Sequence, residues 1–161
     1  MNSNTPSAAL DGEQTRAWHA FIDAQASLLR RLEADLVAEA QLTLAEYDVL
    51  VQLNAAPDGR LRMTELSDRV RISRSGLTRL IDRLVDAGLV ERQRCPSDRR
   101  GAFAALTDPG TQRIASARPI HHRGIREYFA AHLTAAQLAA IATALEPLGA
   151  SMPKPDRDPV A

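Results

Sequence analysis

The chain has 161 residues, 45% of them hydrophobic, which suffices for one compact core with extensions but not for two ordinary domains. Its 20 basic and 20 acidic residues give a formal net charge of zero, so overall charge does not favour a polyanionic partner. The single cysteine excludes an internal disulfide. The sequence shows neither a secretion signal nor a run approaching the ~20 apolar residues of a membrane span. We therefore expect a cytoplasmic protein without a membrane partner.

The balanced total conceals an uneven distribution of charge. Between Arg60 and Arg100 there are 11 arginines and 6 acidic residues, a net of +5, which leaves 9 basic and 14 acidic groups, a net of −5, elsewhere. Arginine carries a planar fork of donors that suits phosphates and guanine edges. Because a GC-rich genome also favours arginine over lysine, only the placement of these arginines supports a nucleic-acid partner.

The N-terminal region is predicted to be an arm and one long helix. Residues 1–10 are small and polar and are expected to form a disordered arm. Asp11 and Gln14 form an N-terminal capping box, after which apolar residues recur at helical spacing. This pattern predicts a helix over 12–39 within an N-terminal region 11–41.

Two shorter helices are predicted next. Thr43 and Glu46 form a second capping box, and the APDGR segment ends the helix that it opens. Three apolar side chains of that helix are expected to face inward: Tyr47, Leu50 and Val51. Thr64 is expected to cap a further helix that runs to about Val70, with Leu66 inward.

The following helix has two chemically distinct faces. Ser73 is its expected N-cap, and Gly88 stands where a left-handed C-terminal residue is needed. One face is an apolar stripe: Leu77, Leu80, Ile81, Leu84 and Val85. The opposite face is polar: Arg74, Ser75, Thr78, Arg79, Asp82 and Arg83. A short helix, a tight turn and this helix make the helix-turn-helix pattern, whose second helix enters the major groove of DNA.

The C-terminal half begins with a hairpin and continues with helices. LVERQR and AFAALT are predicted to be two strands around the basic loop CPSDRRG. Asp108 and Pro109 are expected to open a helix that Pro119 kinks or splits, and Thr134 caps a last helix that stops near Pro147. Residues 150–161 are expected to be a disordered tail.

The polar helix face has the residue types of a DNA-reading helix. Short or forked donors cluster near its N-terminus, where free backbone N–H groups also favour phosphate. Gly76 is expected to let the backbone approach the duplex closely. The predicted recognition set is Ser73, Arg74, Ser75, Gly76, Thr78, Arg79 and Arg83.

From Leu42 to Gly110 the sequence resembles the multiple antibiotic resistance regulators, the MarR family. The resemblance rests on LTLAEYDVL, on MTELSDRVRISRSGLTRLIDRLVDAGLVER and on CPSDRRGAFAALTDPG. It implies a mainly α fold: a winged helix-turn-helix lobe over 42–108 with a two-stranded β wing, plus N- and C-terminal helices that form a dimerisation region, the latter over 109–149. In the wing it implies that Asp98 orients Arg100 towards the minor groove, and the predicted wing set is Arg94, Asp98, Arg99 and Arg100.

The resemblance also implies how such a protein works. Family members are homodimers that bind DNA operators, and many bind a small aromatic or anionic effector between the dimer helices and the DNA-reading lobe. Trp18, His19 and Asp48 are the candidate lining residues here. We therefore expect a ligand-responsive repressor on a pseudo-palindromic operator, with no cofactor, no metal and no enzymatic activity, since no catalytic motif is present.

Other interpretations of the same residues stay open. Asp98 and Arg100 can be a surface ion pair, Cys95 can be a redox sensor, and three histidines can be metal ligands or ordinary surface groups: His121, His122 and His132. The helix-turn-helix arginines can form a solvated face with acids at helical spacing, pairing Arg69, Arg79 and Arg83 with Asp68, Asp82 and Asp86. The winged helix can also bind a protein instead of DNA.

Overall fold

The computed structural model describes residues 9–70, 72–95 and 98–151, with side chains for 9–70, 72–94 and 102–148. The helices are α1 (Gly12–Ala40), α2 (Leu44–Asn54), α3 (Met63–Val70), α4 (Arg74–Asp86), α5 (Asp108–Tyr128) and α6 (Ala135–Ser151). The strands are β1 (Arg60–Arg62), β2 (Val90–Cys95) and β3 (Asp98–Leu106). Short 3₁₀ turns cover Pro57–Gly59 and Ala130–His132. The predicted mainly α winged-helix architecture is confirmed; residues 1–8 and 152–161 of the predicted arm and tail lie outside the described residues.

The two predicted capping boxes start α1 and α2. The Asp11 carboxylate accepts a hydrogen bond from the Gln14 backbone N–H over 2.7 Å, and the Gln14 side chain accepts one from the Asp11 N–H over 3.1 Å. Thr43 and Glu46 make the same reciprocal pair at α2, over 3.2 and 2.9 Å. Each box satisfies two backbone donors that a helix start leaves without a partner.

The C-terminus of α4 is closed as the sequence predicts. Gly88 has a φ of +71°, and its N–H donates to the Val85 carbonyl over 2.9 Å. The next N–H, of Leu89, donates to the Leu84 carbonyl over 2.9 Å. This left-handed closure favours glycine because a Cβ is strained at positive φ.

Two predicted caps lie inside their helices. α3 begins at Met63, so Thr64 lies inside the helix and does not cap it. At α5 the cap is Thr107, whose hydroxyl accepts from the Gly110 N–H over 3.1 Å, and Asp108 is the first helical residue. A neighbouring hydroxyl thus takes the place predicted for the carboxylate.

Neither internal proline divides its helix. α5 runs through Pro119 without a break, so the second of the two expected outcomes, a kink or a split, does not occur. α6 runs through Pro147 to Ser151, so the expected stop near Pro147 is wrong. Proline removes one backbone hydrogen bond. In α5 the packing of Ile114 and Ala117 on the core, both buried, offsets that loss.

The sheet contains a strand that the sequence did not predict. Its order is β1-β3-β2, with both pairs antiparallel, so β1 adds a third strand to the expected two-stranded wing. β1 is only three residues long, and Leu61 is its one buried side chain. Three residues are too few for an alternating pattern to be recognised.

The core lies between α2, α3, α4, the sheet and the adjoining ends of α1 and α5. Its fully buried large side chains include Leu36, Leu50, Leu53, Leu66, Leu77, Ile81, Leu84 and Ile114. Two residues that were predicted to face the core are more exposed than expected. Val85, at the end of the predicted stripe, is 36% exposed, and Val51 is only half-buried while Val49 is fully buried.

The terminal helices leave much apolar surface uncovered within one chain. Side chains on α1 and α6 that are large, apolar and exposed include Trp18, Phe21, Leu29, Val37, Leu145 and Leu148. Among its described side chains α6 has no buried residue. Within the described residues no single helix is long and apolar enough to cross a membrane; α5 with its following 3₁₀ turn, taken together with α6, passes on length and composition but bends by 105°.

Candidate DNA-binding surface

The start of α4 is built by Ser73 and Gly76. The Ser73 hydroxyl accepts a hydrogen bond from the Gly76 N–H over 3.2 Å, which confirms Ser73 as the N-cap. A Cβ at Gly76 would lie 2.9 Å from Cγ2 of Ile72 and 3.1 Å from the Ser73 hydroxyl. Close packing at the turn is therefore one reason for Gly76, and its expected approach to the duplex stays a prediction.

The first two turns of α4 present donors to solvent. Arg74, Ser75, Thr78 and Arg79 are all exposed. The Thr78 hydroxyl donates to the Arg74 carbonyl over 2.9 Å, which fixes its rotamer on the helix surface. Arg79 has no hydrogen-bond or ion-pair partner among the described residues, so its guanidinium is available to a ligand. These are the residue types that contact phosphates and base edges.

Arg83 differs from the other predicted recognition residues because another helix holds it. Its Nε donates to Oε1 of Glu46 over 3.2 Å, and Glu46 is the partner of the N-cap Thr43 in the α2 capping box. Glu46 is largely buried, whereas Arg83 stays more than half exposed. Arg83 thus joins the recognition helix to the start of α2.

The base of the wing is joined to the recognition helix by Arg92. Its Nη2 lies 2.8 Å from Oδ1 of Asp82 and donates to the Thr78 carbonyl over 3.4 Å. A residue of β2 therefore contacts two successive turns of α4. This contact was not predicted, because the two residues come from different elements and share no local pattern.

The ion pairs in this region are formed both within one helix and between elements. Arg69 pairs with Glu65 over 2.8 Å, Arg83 with Glu46, and Asp82 with Arg92. Two of these three ion pairs join different elements. They orient α4 instead of forming a self-contained solvated face.

The wing hairpin is present, but its tip is only partly described. Arg94 is exposed on β2, opposite Ala102 of β3. The backbones of Asp98, Arg99 and Arg100 belong to β3, while their side chains lie outside the described residues, as does the side chain of Cys95. The pairing of Asp98 with Arg100 therefore stays a prediction.

A small cleft separates the start of α3 from the recognition helix. Its volume is about 180 Å³. The residues that line it are Met63, Thr64, Arg74, Leu77 and Thr78. The beginning of α3 thus borders the same exposed surface as the first turns of α4.

One chain does not bring the three candidate pocket residues together. Trp18 and His19 lie on the N-terminal half of α1, where the Trp18 ring is 55% exposed and lies 6.5 Å from that of Phe21. α1 meets the start of α2 at Glu33, which accepts from the Leu44 N–H over 2.5 Å. The fifteen residues from Trp18 to Glu33 span about 22 Å of helix. Trp18 is thus far along α1 from the α2 junction.

Asp48 instead belongs to a polar cluster between α2 and α5. The ring of His121 lies 4.7 Å from that of Tyr47, and the nearby Arg118 guanidinium acts on the Tyr47 hydroxyl to lower its pKa. Asp48 acts electrostatically on the same hydroxyl. Sequence patterns missed Tyr47 and Arg118 as site candidates because the cluster forms only when the two helices pack.

Burial shifts the titration of this cluster. Desolvation raises the pKa of Tyr47, against an opposing effect of Arg118, and raises the pKa of Asp48 although its side chain still reaches solvent. Desolvation, followed by the nearby charge of His122, lowers the pKa of His121. The cluster therefore favours a neutral imidazole beside a cationic guanidinium.

The three histidines do not gather into a metal centre. The ring centroids of His121 and His122 are 6.2 Å apart, and His132 lines a different groove beside Tyr128. Among the described residues there is no group of three or more histidine, cysteine, aspartate or glutamate side chains that could hold a metal ion.

Comparisons with known proteins agree with this geometry. The family model described as "MarR family" matches residues 40–101. The multiple antibiotic resistance protein MarR of Escherichia coli is 28% identical over 111 residues, which are 69% of this chain and 76% of that protein. The match to the family model covers the helix-turn-helix and the wing as far as residue 101, in the first half of β3.

Two solved structures from Streptomyces coelicolor cover more of the chain. AbsC, a MarR family transcriptional regulator, is 33% identical with a TM-score of 0.84, covering 89% of this chain and 97% of AbsC. Sco3205, a MarR family transcriptional regulator solved in complex with DNA, is 32% identical with a TM-score of 0.87, covering 96% of each chain. With the exposed face of α4 and the adjoining hairpin, these similarities show that the chain belongs to the MarR family of winged-helix, DNA-binding transcriptional regulators.

Proposed function

We propose that this regulator is a homodimeric, ligand-responsive repressor that binds a pseudo-palindromic operator in the cytoplasm. The observation that carries the proposal is the exposed donor face on the first turns of α4, next to the hairpin: Ser73, Arg74, Ser75, Thr78 and Arg79. Sco3205 was solved in complex with DNA, which supports the same mode of action here. Arg94, Asp98, Arg99 and Arg100 are the wing residues that we propose for the flanking minor groove.

The uncovered surface of the terminal helices supports a homodimer. α6 is strongly apolar, and Leu145 and Leu148 are 37% and 45% exposed within one chain. Trp18 and Phe21 on α1 are 55% and 40% exposed. Apolar surface of this extent is stabilised by a partner, and a second copy offers the same helices. A two-fold dimer also presents two α4 helices to two half-sites.

The polar cluster between α2 and α5 supports the response to a ligand. Arg118 provides an exposed cation, and the half-buried His121 ring, which lies against the buried Tyr47, provides aromatic surface; together they suit a small aromatic anion. Asp48 remains in this proposed pocket. Trp18 and His19, on the distant half of α1, join it only from a second copy of the chain. A ligand here would alter the angle between the DNA-reading lobe and the terminal helices, and so the spacing of the two α4 helices.

The proposal is tested with the full chain and a duplex that covers the region upstream of its own gene. Sedimentation should give twice the 17.5 kDa of one chain. Mobility shift should show tighter binding to that duplex than to a random duplex of equal length, and the protein should reduce transcription from the promoter in vitro. A monomer in sedimentation would contradict the dimer. Equal binding to both duplexes would contradict a specific operator, and increased transcription would contradict the repressor role.

A further inference from the structure

The outer face of the sheet carries two arginines over one aromatic ring. The guanidinium carbons of Arg60 and Arg62, both on β1, each lie 5.4 Å from the ring centroid of Phe103 on β3. Phe103 is half-buried and both arginines are exposed. At this distance the ring attracts a guanidinium and limits its rotamers.

The strand register explains why these side chains meet. Arg62 pairs with Phe103 and Arg60 with Ala105 across the antiparallel β1 and β3 strands. Directly opposed residues share a face, and so do residues two apart on one strand. Leu61 between them points the other way and is buried. β1 therefore presents its arginines together on the outer face.

The two arginines differ in their distance along β1 from the start of α3. Arg62 immediately precedes Met63, which lines the cleft at the start of α3 together with Arg74 and Thr78 of the recognition helix. Arg60 lies about 6.7 Å further back along the strand. Asp58 lies 3.9 Å from the Arg60 guanidinium, which also donates to Gln93 over 3.3 Å.

We propose that Arg62 is a further DNA-binding residue, which contacts a phosphate of the duplex beside the recognition helix, and that Phe103 is its positioning residue. The inference rests on the DNA-binding function of the chain. The guanidinium offers two parallel donors to the phosphate oxygens. The Phe103 ring holds it near the Arg74 edge of the surface before DNA binds, so that less side-chain entropy is lost on binding.

The proposal predicts a sequence-independent effect, since a phosphate carries no base identity. Binding of the full chain to a random-sequence duplex is measured by fluorescence anisotropy over a series of salt concentrations. Arg62→Gln should weaken binding and reduce the slope of log affinity against log salt by about 0.9 for each phosphate that the protein no longer neutralises. Arg60→Gln is the matched control: it removes the same charge over the same ring, and it should leave the slope close to that of the parent.

Phe103 is tested separately because it carries no charge. Phe103→Leu should keep the parental salt slope but lower affinity by about two- to fivefold. Phe103→Tyr retains the ring and should restore affinity, which a general loss of stability would not allow, and circular dichroism melting checks the fold of each variant. An unchanged slope for Arg62→Gln, or an equal decrease for Arg60→Gln, would overturn the inference. A parent chain that binds no DNA would instead refute the proposed function.

Discussion

Glu46 of α2 and Arg83 of α4, which are 37 residues apart in sequence, are joined by a hydrogen bond of 3.2 Å. The other carboxylate oxygen of Glu46 accepts from the Thr43 N–H over 2.9 Å, so one side chain both caps α2 and holds α4. The angle at which the recognition helix leaves the core is therefore linked to the start of α2. Arg83, although exposed, is therefore held by another helix of the same chain, which favours a positioning role for it.

Substitution of Glu46 should separate its two roles. Glu46→Gln keeps an acceptor for the capping box but removes the charge opposite Arg83, so thermal stability should change little while operator affinity decreases. Glu46→Ala removes both and should cost about 1 kcal/mol of unfolding free energy through the missing cap. Denaturant melts and mobility shifts measure the two quantities. Equal stability of the Gln and Ala variants would show that the cap contributes nothing.

The exposed arginines at the start of α4 should carry more DNA affinity than Arg83. Arg74→Ala and Arg79→Ala should each cost about 1–3 kcal/mol per half-site if the residue reads a base, with relaxed preference at one operator position. Arg83→Ala should cost less, because part of its interaction is internal to the protein. Binding to a set of operator variants distinguishes these outcomes. Parental affinity of both the Arg74 and Arg79 variants would refute the assignment of α4.

The wing prediction concerns Asp98 and Arg100. Arg100→Ala should lose affinity most strongly on A·T-rich flanks, and Asp98→Ala should lose much of the same amount although it removes a negative charge. The double variant should be far from additive, since both changes disable one interaction. The four proteins are compared at fixed salt on A·T-rich and G·C-rich flanks. If Asp98→Ala bound DNA as well as the parent or better, Asp98 would not orient Arg100, and the loop would act only through its positive charge.

The apolar surface of α6 should be needed for the dimer. Leu145→Glu places a charge on that surface and should shift the protein towards monomer in sedimentation. Val85→Glu is the control, because Val85 is nearly as exposed (36% against 37%) but lies on α4, outside the terminal helices. The control should remain dimeric. A dimeric Leu145→Glu protein would place the interface elsewhere.

The His121 cluster predicts a loss of stability in acid. The folded chain lowers the pKa of His121, so below its ordinary value near 6.5 the unfolded chain binds a proton that the folded chain does not. Stability is thus retained above about pH 6.5 and decreases as the pH falls towards the lower folded pKa. His121→Phe keeps a ring against Tyr47 but cannot titrate, so its melting temperature should fall less over this range. Both proteins contain the neighbouring charged groups Arg118, His122 and Asp48, so the contributions of these groups to the pH dependence cancel in the comparison.

Local sequence determined the starts of α1 and α2 and the end of α4. The capping pairs Asp11 with Gln14 and Thr43 with Glu46, and the left-handed Gly88, depend on residues within one turn of each other, so a short stretch of sequence contains all the relevant chemistry. The apolar stripe of α4 could also be predicted from the sequence, because helical spacing places its leucines on one face.

Contacts between residues that are distant in sequence were decided only by the tertiary structure. A Cβ at Gly110 would come within 2.2 Å of the Leu89 carbonyl, a close approach that no local pattern shows. β1 exists because β3 pairs with it, and α5 continues through Pro119 because its flanks pack on the core. The pairs Arg83 with Glu46 and Arg92 with Asp82 join separate elements. Such contacts depend on where packing places two helices and a sheet, and packing depends on the whole chain at once.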